Sequence, residues 1–153
     1  MRPTPQGWNV AVIEPQAEPA SSGSEQKSHK KELLALPKGL IDPGEKPVET
    51  AVREVLEETG VHAKILEKLT DIKYVYVRSW QDHERVFKIV SFYLLLYESG
   101  TIDDLSSGMR IEVRRARWVP IEEAARKLAY RGERDVVKLA RERLKLHGKE
   151  TQP

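Results

Sequence analysis

The chain has no cysteine among its 153 residues, which removes disulfides, thiolate zinc sites and cysteine nucleophiles together. A metal bound here must sit on oxygen or imidazole. No apolar run approaches the roughly 20 residues that a membrane-spanning helix needs. The longest, 89–97 (IVSFYLLLY), is interrupted by Ser91 and suits a buried strand. Residues 1–7 (MRPTPQG) put two prolines and a glycine where a signal peptide would carry apolar side chains, so a cytoplasmic protein is expected. Nor is there a surplus of one charge: 26 basic side chains face 24 acidic ones, interleaved along most of the chain. That balance argues against a general nucleic-acid or membrane-surface binder.

What is abundant is glutamate, 18 of the 24 acids, a bias that by itself fits solvated helices. The length favours one domain over 1–153. Residues 8–14 (WNVAVIE) predict a strand, 15–31 a flexible loop rich in Pro, Ser, Gly and Gln, 32–36 (ELLAL) a short apolar segment, and 38–46 (KGLIDPGEK) a structured loop. Pro47 in the first turn, Val48, Ala51, Val52, Val55 and Leu56 at helical spacing, and Gly60 at the end define a helix over 47–59. Segments 71–78 and 86–97 predict a hairpin with a long tip, and 116–119 another strand. A helix opens after it at Pro120, Glu122 and Glu123, a second covers 133–146, and 148–153 is expected to be a disordered tail. Strands interrupted by helices indicate an α/β sandwich with a mixed sheet.

At 100° per residue, Glu54, Glu57 and Glu58 share one face of the first helix. Such faces are ordinarily solvated and laced with ion pairs. Here Glu54 and Glu58 are each other's i+4 neighbours, and neither has a Lys or Arg three or four residues away; Arg53 serves Glu57 alone. A like-charge pair costs an isolated helix roughly 0.2–0.5 kcal/mol, so the cluster asks for a cation from elsewhere. Oxygen-only donors suit a hard ion such as Mg²⁺ or Mn²⁺.

Gly39, Glu45 and the run Arg53-Glu54-Val55-Leu56-Glu57-Glu58-Thr59-Gly60-Val61 fall at the spacing G-x5-E-x7-R-E-U-x-E-E-x-G-U, where U is a bulky apolar residue. In this the chain resembles the Nudix hydrolase family, and the likeness extends loosely through the hairpin and the ARWVPIEEA segment. The resemblance implies an α/β/α sandwich and hydrolysis, with Mg²⁺ or alternatively Mn²⁺, of a phosphoanhydride in a nucleoside diphosphate-linked substrate. A dinucleoside polyphosphate or nucleoside polyphosphate is expected; the alternatives are an oxidised nucleoside triphosphate, or a non-catalytic nucleotide sensor. Glu54, Glu57 and Glu58 match the family's metal-binding glutamates, Arg53 the arginine that orients them, and Gly39 and Gly60 its loop and helix-end glycines. Glu45 matches a glutamate whose structural role is placed ahead of direct ligation.

Glu112, six residues before Trp118, resembles a downstream acid that serves as base or extra ligand; the other reading is a solvent-facing Glu beside Arg110. Glu84 and Glu98 stand behind it. Lys38 lies in LPKG, similar to the subgroup acting on diadenosine polyphosphates and diphosphoinositol phosphates, where an ammonium would touch a distal phosphate. Its alternative is an exposed loop lysine. Arg78 and Arg85, with Tyr74, Tyr76, Trp80 and Lys88, are candidates for substrate contact from the hairpin, although strand tyrosines are more often core. His29, His62, His83 and His147 show no ligand spacing. The expected partner is a nucleotide-like small molecule, with no specific nucleic acid and no membrane, and a homodimer is allowed. One departure stands out. Relatives begin with a glycine-rich strand, whereas only 8–14 precedes the polar stretch here, so that strand is expected to be abbreviated or to begin upstream.

Overall fold

The computed structural model describes residues 1–16, 33–79 and 84–150, with the backbone alone for 76–79 and 148–150. Strand β1 (Arg2–Thr4) turns into β2 (Gly7–Pro15), which runs antiparallel to β5 (Val113–Pro120), giving a sheet in the order β1-β2-β5. Helix α1 (Pro47–Thr59) leads into a long antiparallel hairpin of β3 (Val61–Ser79) and β4 (Glu84–Gly100). After β5 come α2 (Ile121–Lys127) and α3 (Arg131–Glu150). Tyr97 N–H donates to Met1 O at 2.9 Å, joining the hairpin to the first sheet.

Alternation along β4 sets the layers. Val90, Phe92 and Leu94 face a core shared with Val136, Val137, Ala140 and Leu144 of α3, while Tyr93 and Leu95 face a second cluster with Ala51, Val52 and Val55 of α1. Successive strand residues point to opposite faces, so α1 and α3 cover opposite sides of the strands. Leu94, Ile121 and Leu128 are almost wholly enclosed, each contributing about 1.5–3 kcal/mol relative to exposure.

The α/β sandwich agrees with the sequence reading. The expected mixed pairing, among the described residues, is confined to one parallel bridge between Leu34 and Leu128; every strand ladder is antiparallel. Helix α1 has the expected bounds, and Ala51, Val52 and Val55 of its apolar stripe pack inward, whereas Val48 and Leu56 are exposed and its most buried residues are Thr50, Glu58 and Thr59. The hairpin is longer than expected, because β3 starts at Val61 and carries bulges at His62/Ala63, Ile65/Glu67 and Lys68/Thr70. Strand β1 is only three residues long. Where it stops, segment 34–36 takes over the same edge of β2, Ile13 and Ala35 exchanging both backbone hydrogen bonds at 2.9 Å. Pro15 ends β2, and Gln16 N–H donates to Glu112 O at 2.9 Å. The flexible loop expected beyond them, with His29, lies outside the described residues, as do Trp80 and His83. Of the expected tail, 148–150 continue α3 and 151–153 lie outside the described residues.

Candidate functional site

The loop before α1 is closed by Glu45 N–H donating to Asp42 O at 2.9 Å, and the helix starts with Lys46 N–H donating to Glu49 Oε1 at 3.2 Å. Pro47, lacking an N–H, occupies the first turn where one would go unused. At the other end Gly60 adopts φ +83°, its N–H donates to Leu56 O at 2.9 Å, and a β-carbon there would strike Thr101 O. Only glycine satisfies both conditions cheaply.

Arg53 is the hub of the acidic face. Its Nε and Nη2 donate to the two oxygens of Glu45 at 2.7 and 2.9 Å, Nη2 also to Leu40 O at 3.0 Å, and Nη1 to Glu54 at 2.8 Å and Glu57 at 3.1 Å. Glu45 also accepts the Thr50 hydroxyl at 2.6 Å. Hydrogen bonds from Arg53, then Thr50, hold its carboxyl down at about 2. Glu45 and Arg53 thus form a fork-on-fork pair that fixes the guanidinium.

Glu54 presses its carboxylate under Gly39, where any side chain would overlap it. Burial pushes its carboxyl above the ordinary range, with hydrogen bonding and charge from Arg53 opposing, and the charges of Glu57 and Glu112 adding. Glu58 is buried and accepts the Lys38 N–H at 2.7 Å. Its carboxyl is pushed up to about 8, mostly by burial, with Glu54 and Glu112 adding to it. Glu112 therefore faces the same field as the helix glutamates. The neighbour considered for it, Arg110, pairs instead with Asp103 at 2.8 Å.

These side-chain atoms are all oxygens, and burial drives two of the carboxyls toward the neutral form, a tendency that a hard divalent ion beside them would oppose. Among the described residues, no three acidic or imidazole groups already converge into a ready-made ion cage. Glu54 and Glu57 are instead drawn to Arg53, and ligation would require them to exchange that partner.

Lys38 is turned away from this face: its ammonium lies 2.9 Å from Glu133. Arg85 is exposed near the distal end of the hairpin, opposite Val77, and the Arg78 and Tyr76 side chains lie outside the described residues. Tyr74 is partly buried and bonded to Glu133 at 2.6 Å. An apolar cavity of about 120 Å³ opens beside Gly39 and Glu54, with Ile41, Ala51, Tyr93 and Trp118 in its wall. Sequence reasoning missed Glu133 and the Asp103–Arg110 pair. The only signal for Glu133 was an acid at the start of an apolar-periodic helix, which ordinarily means a solvated first turn.

The family model described as the NUDIX domain matches residues 7–140. The chain is 41% identical over 110 residues to MutT4 of Mycobacterium tuberculosis, covering 72% of this chain and 42% of that protein. It spans less than half the length of the curated relatives it matches. In fold it is similar to a Caenorhabditis elegans Ap4A hydrolase binary complex, with a TM-score of 0.63 at 19% identity, covering 96% of this chain and 92% of that one. It is also similar to the NUDIX domain of Shewanella oneidensis NrtR complexed with ADP ribose, with a TM-score of 0.64 at 19% identity, covering 94% and 82%.

Proposed function

The chain belongs to the Nudix family, and from that premise we propose that it is a divalent-metal-dependent hydrolase acting on the phosphoanhydride of a nucleotide-like substrate, a dinucleoside polyphosphate or a nucleoside polyphosphate. The observation that carries this reading is Glu58, a buried carboxyl pushed up to about 8 beside Glu54 and within the field of Glu112. A scaffold serving only as a fold has no use for three mutually repelling acids at one place.

Glu54, Glu57 and Glu58 would hold Mg²⁺ or Mn²⁺, which when bound neutralises charge on the phosphates and lowers the pKa of a water. Arg53 sets the direction of Glu54 and Glu57 before the ion arrives and accepts their displacement through its hold on Glu45. Glu112, exposed at the rim, is suited to proton transfer or to an additional ligand. The apolar cavity beside Glu54 suits a base, since ligand pockets pair apolar walls with a few polar anchors.

The test is product identification by mass spectrometry in oxygen-labelled water, offering a dinucleoside polyphosphate, a nucleoside triphosphate, an oxidised triphosphate and a nucleotide sugar side by side. Fastest turnover on either of the first two, abolished by EDTA, is expected. Preference for the oxidised triphosphate would overturn the substrate ranking, and binding without turnover on all of them would replace the hydrolase with a nucleotide sensor.

A further inference from the structure

Segment 36–38 has two backbone N–H groups, and carboxylates from opposite helices take both. Leu36 N–H donates to Glu133 Oε1 of α3 and Lys38 N–H to Glu58 Oε1 of α1, each at 2.7 Å. Pro37 between them has none to offer. Glu133 has no solvent exposure. Its second oxygen receives the Tyr74 hydroxyl at 2.6 Å and the Lys38 ammonium at 2.9 Å. That ammonium also donates to Leu36 O at 3.3 Å and lies 5.5 and 5.4 Å from the ring centroids of Tyr74 and Tyr130.

A buried carboxylate is tolerated only when its oxygens are satisfied and its charge is matched. Glu133 meets both conditions, and its place in the first turn of α3 adds the favourable end of the helix dipole. Drawing Lys38 out to meet a phosphate would strip the cation from an enclosed anion. The same lysine supplies its ammonium to Glu133 and its N–H to Glu58, so one residue links the two helices.

We propose that Glu133 is a positioning residue for the glutamate site: with Lys38 and Tyr74 it clamps residues 36–38 so that the Lys38 N–H stays aimed at Glu58, and the Lys38 ammonium works through this clamp and not as a phosphate contact. The inference rests on the reading of Glu58 as a metal ligand, in a chain whose family pattern does not include Glu133.

The experiment uses the full chain, with Mn²⁺ affinity measured by calorimetry and steady-state kinetics on a dinucleoside polyphosphate. Glu133→Gln, Lys38→Met, Tyr74→Phe and the Glu133→Gln/Lys38→Met double variant are compared. Each single variant is expected to weaken Mn²⁺ binding by about 10–100-fold, as outer-shell changes do, with Tyr74→Phe at the low end. kcat should fall while KM stays within about twofold, and the double variant should be no worse than the worse single, since residues acting through one network are not additive. If Glu133→Gln does not fold, Tyr74→Phe, which removes one donor and no charge, carries the comparison. A KM that rises tenfold or more in Lys38→Met with Mn²⁺ affinity intact would overturn the proposal in favour of a phosphate contact, and wild-type Mn²⁺ affinity and kcat in Tyr74→Phe would overturn it outright. Failure of the underlying reading is seen separately, on the unsubstituted chain and Glu58→Gln: absence of Mn²⁺ binding in the first, or equal affinity in the second, removes the metal site itself and the clamp's purpose with it.

Discussion

Gly39 lies so close over the Glu54 carboxylate that a β-carbon at position 39 would overlap it. The glycine is required by space and not by backbone twist, since its φ is not among the positive ones. Gly39→Ala should therefore displace Glu54 and lower turnover by about 10²-fold, the scale on which a displacement of about 1 Å at a site is felt. Circular dichroism and thermal unfolding should change little. A variant with unaltered kcat would separate Gly39 from the chemistry.

Glu57→Gln and Glu58→Gln test the proposed ligands directly. Each should reduce turnover by more than the roughly 10–100-fold typical of residues acting behind a ligand. Glu58→Gln should not lower the melting temperature of the metal-free protein at pH 7, because burial already favours the neutral carboxyl there.

Binding of Mg²⁺ or Mn²⁺ to the native state alone must raise stability, by about 2.7 kcal/mol at a hundred times Kd. Thermal unfolding in millimolar Mn²⁺ should shift upward, reverse with EDTA, and fail to shift in a Glu54→Gln/Glu57→Gln chain. An equal shift in that chain would place the ion elsewhere.

Acid titration should expose the Glu45–Arg53 pair. Hydrogen bonds from Arg53 hold the Glu45 carboxyl at about 2 in the folded chain, against 4.5 ordinarily. A depressed carboxyl contributes stability that is complete above the unfolded value and is lost as pH falls through the folded one. Urea midpoints should therefore drop between pH 4.5 and 2, and Glu45→Gln should flatten that part of the profile. A parallel profile in the variant would count against the pairing.

Gly60→Ala addresses fold and not catalysis. With φ +83° and Thr101 O in the way, the substitution should cost more than about 1 kcal/mol in urea unfolding, most of it through the crossing of residues 101–104 over the end of α1.

Much of this was legible from sequence, and for physical reasons. Helix α1 announced itself because Pro47, the apolar spacing and Gly60 all act locally, so its bounds needed no tertiary information. The first ten residues of β3 did not, because bulges at Ile65/Glu67 and Lys68/Thr70 place two residues against one and break the period-two pattern. Ala51, Val52 and Val55 pack inward as periodicity indicates, but Val48 and Leu56 at the margins of that stripe are exposed, while the polar Thr50 and Glu58 are buried through hydrogen bonds to the loop. Glu54, Glu57 and Glu58 could be assigned to one face from spacing alone, whereas the ion pair of Lys38 depended on Glu133, a partner that only the folded chain brings near.

The hydrogen bond from Leu36 to Glu133 joins residues 97 apart. During synthesis at about 5–20 residues per second, the loop waits roughly 5–20 s for that anchor to be made. A nascent chain thus completes its acidic helix well before the support that steadies the loop exists, and on the proposed reading competence to capture an ion would follow only after Glu133 has been synthesised.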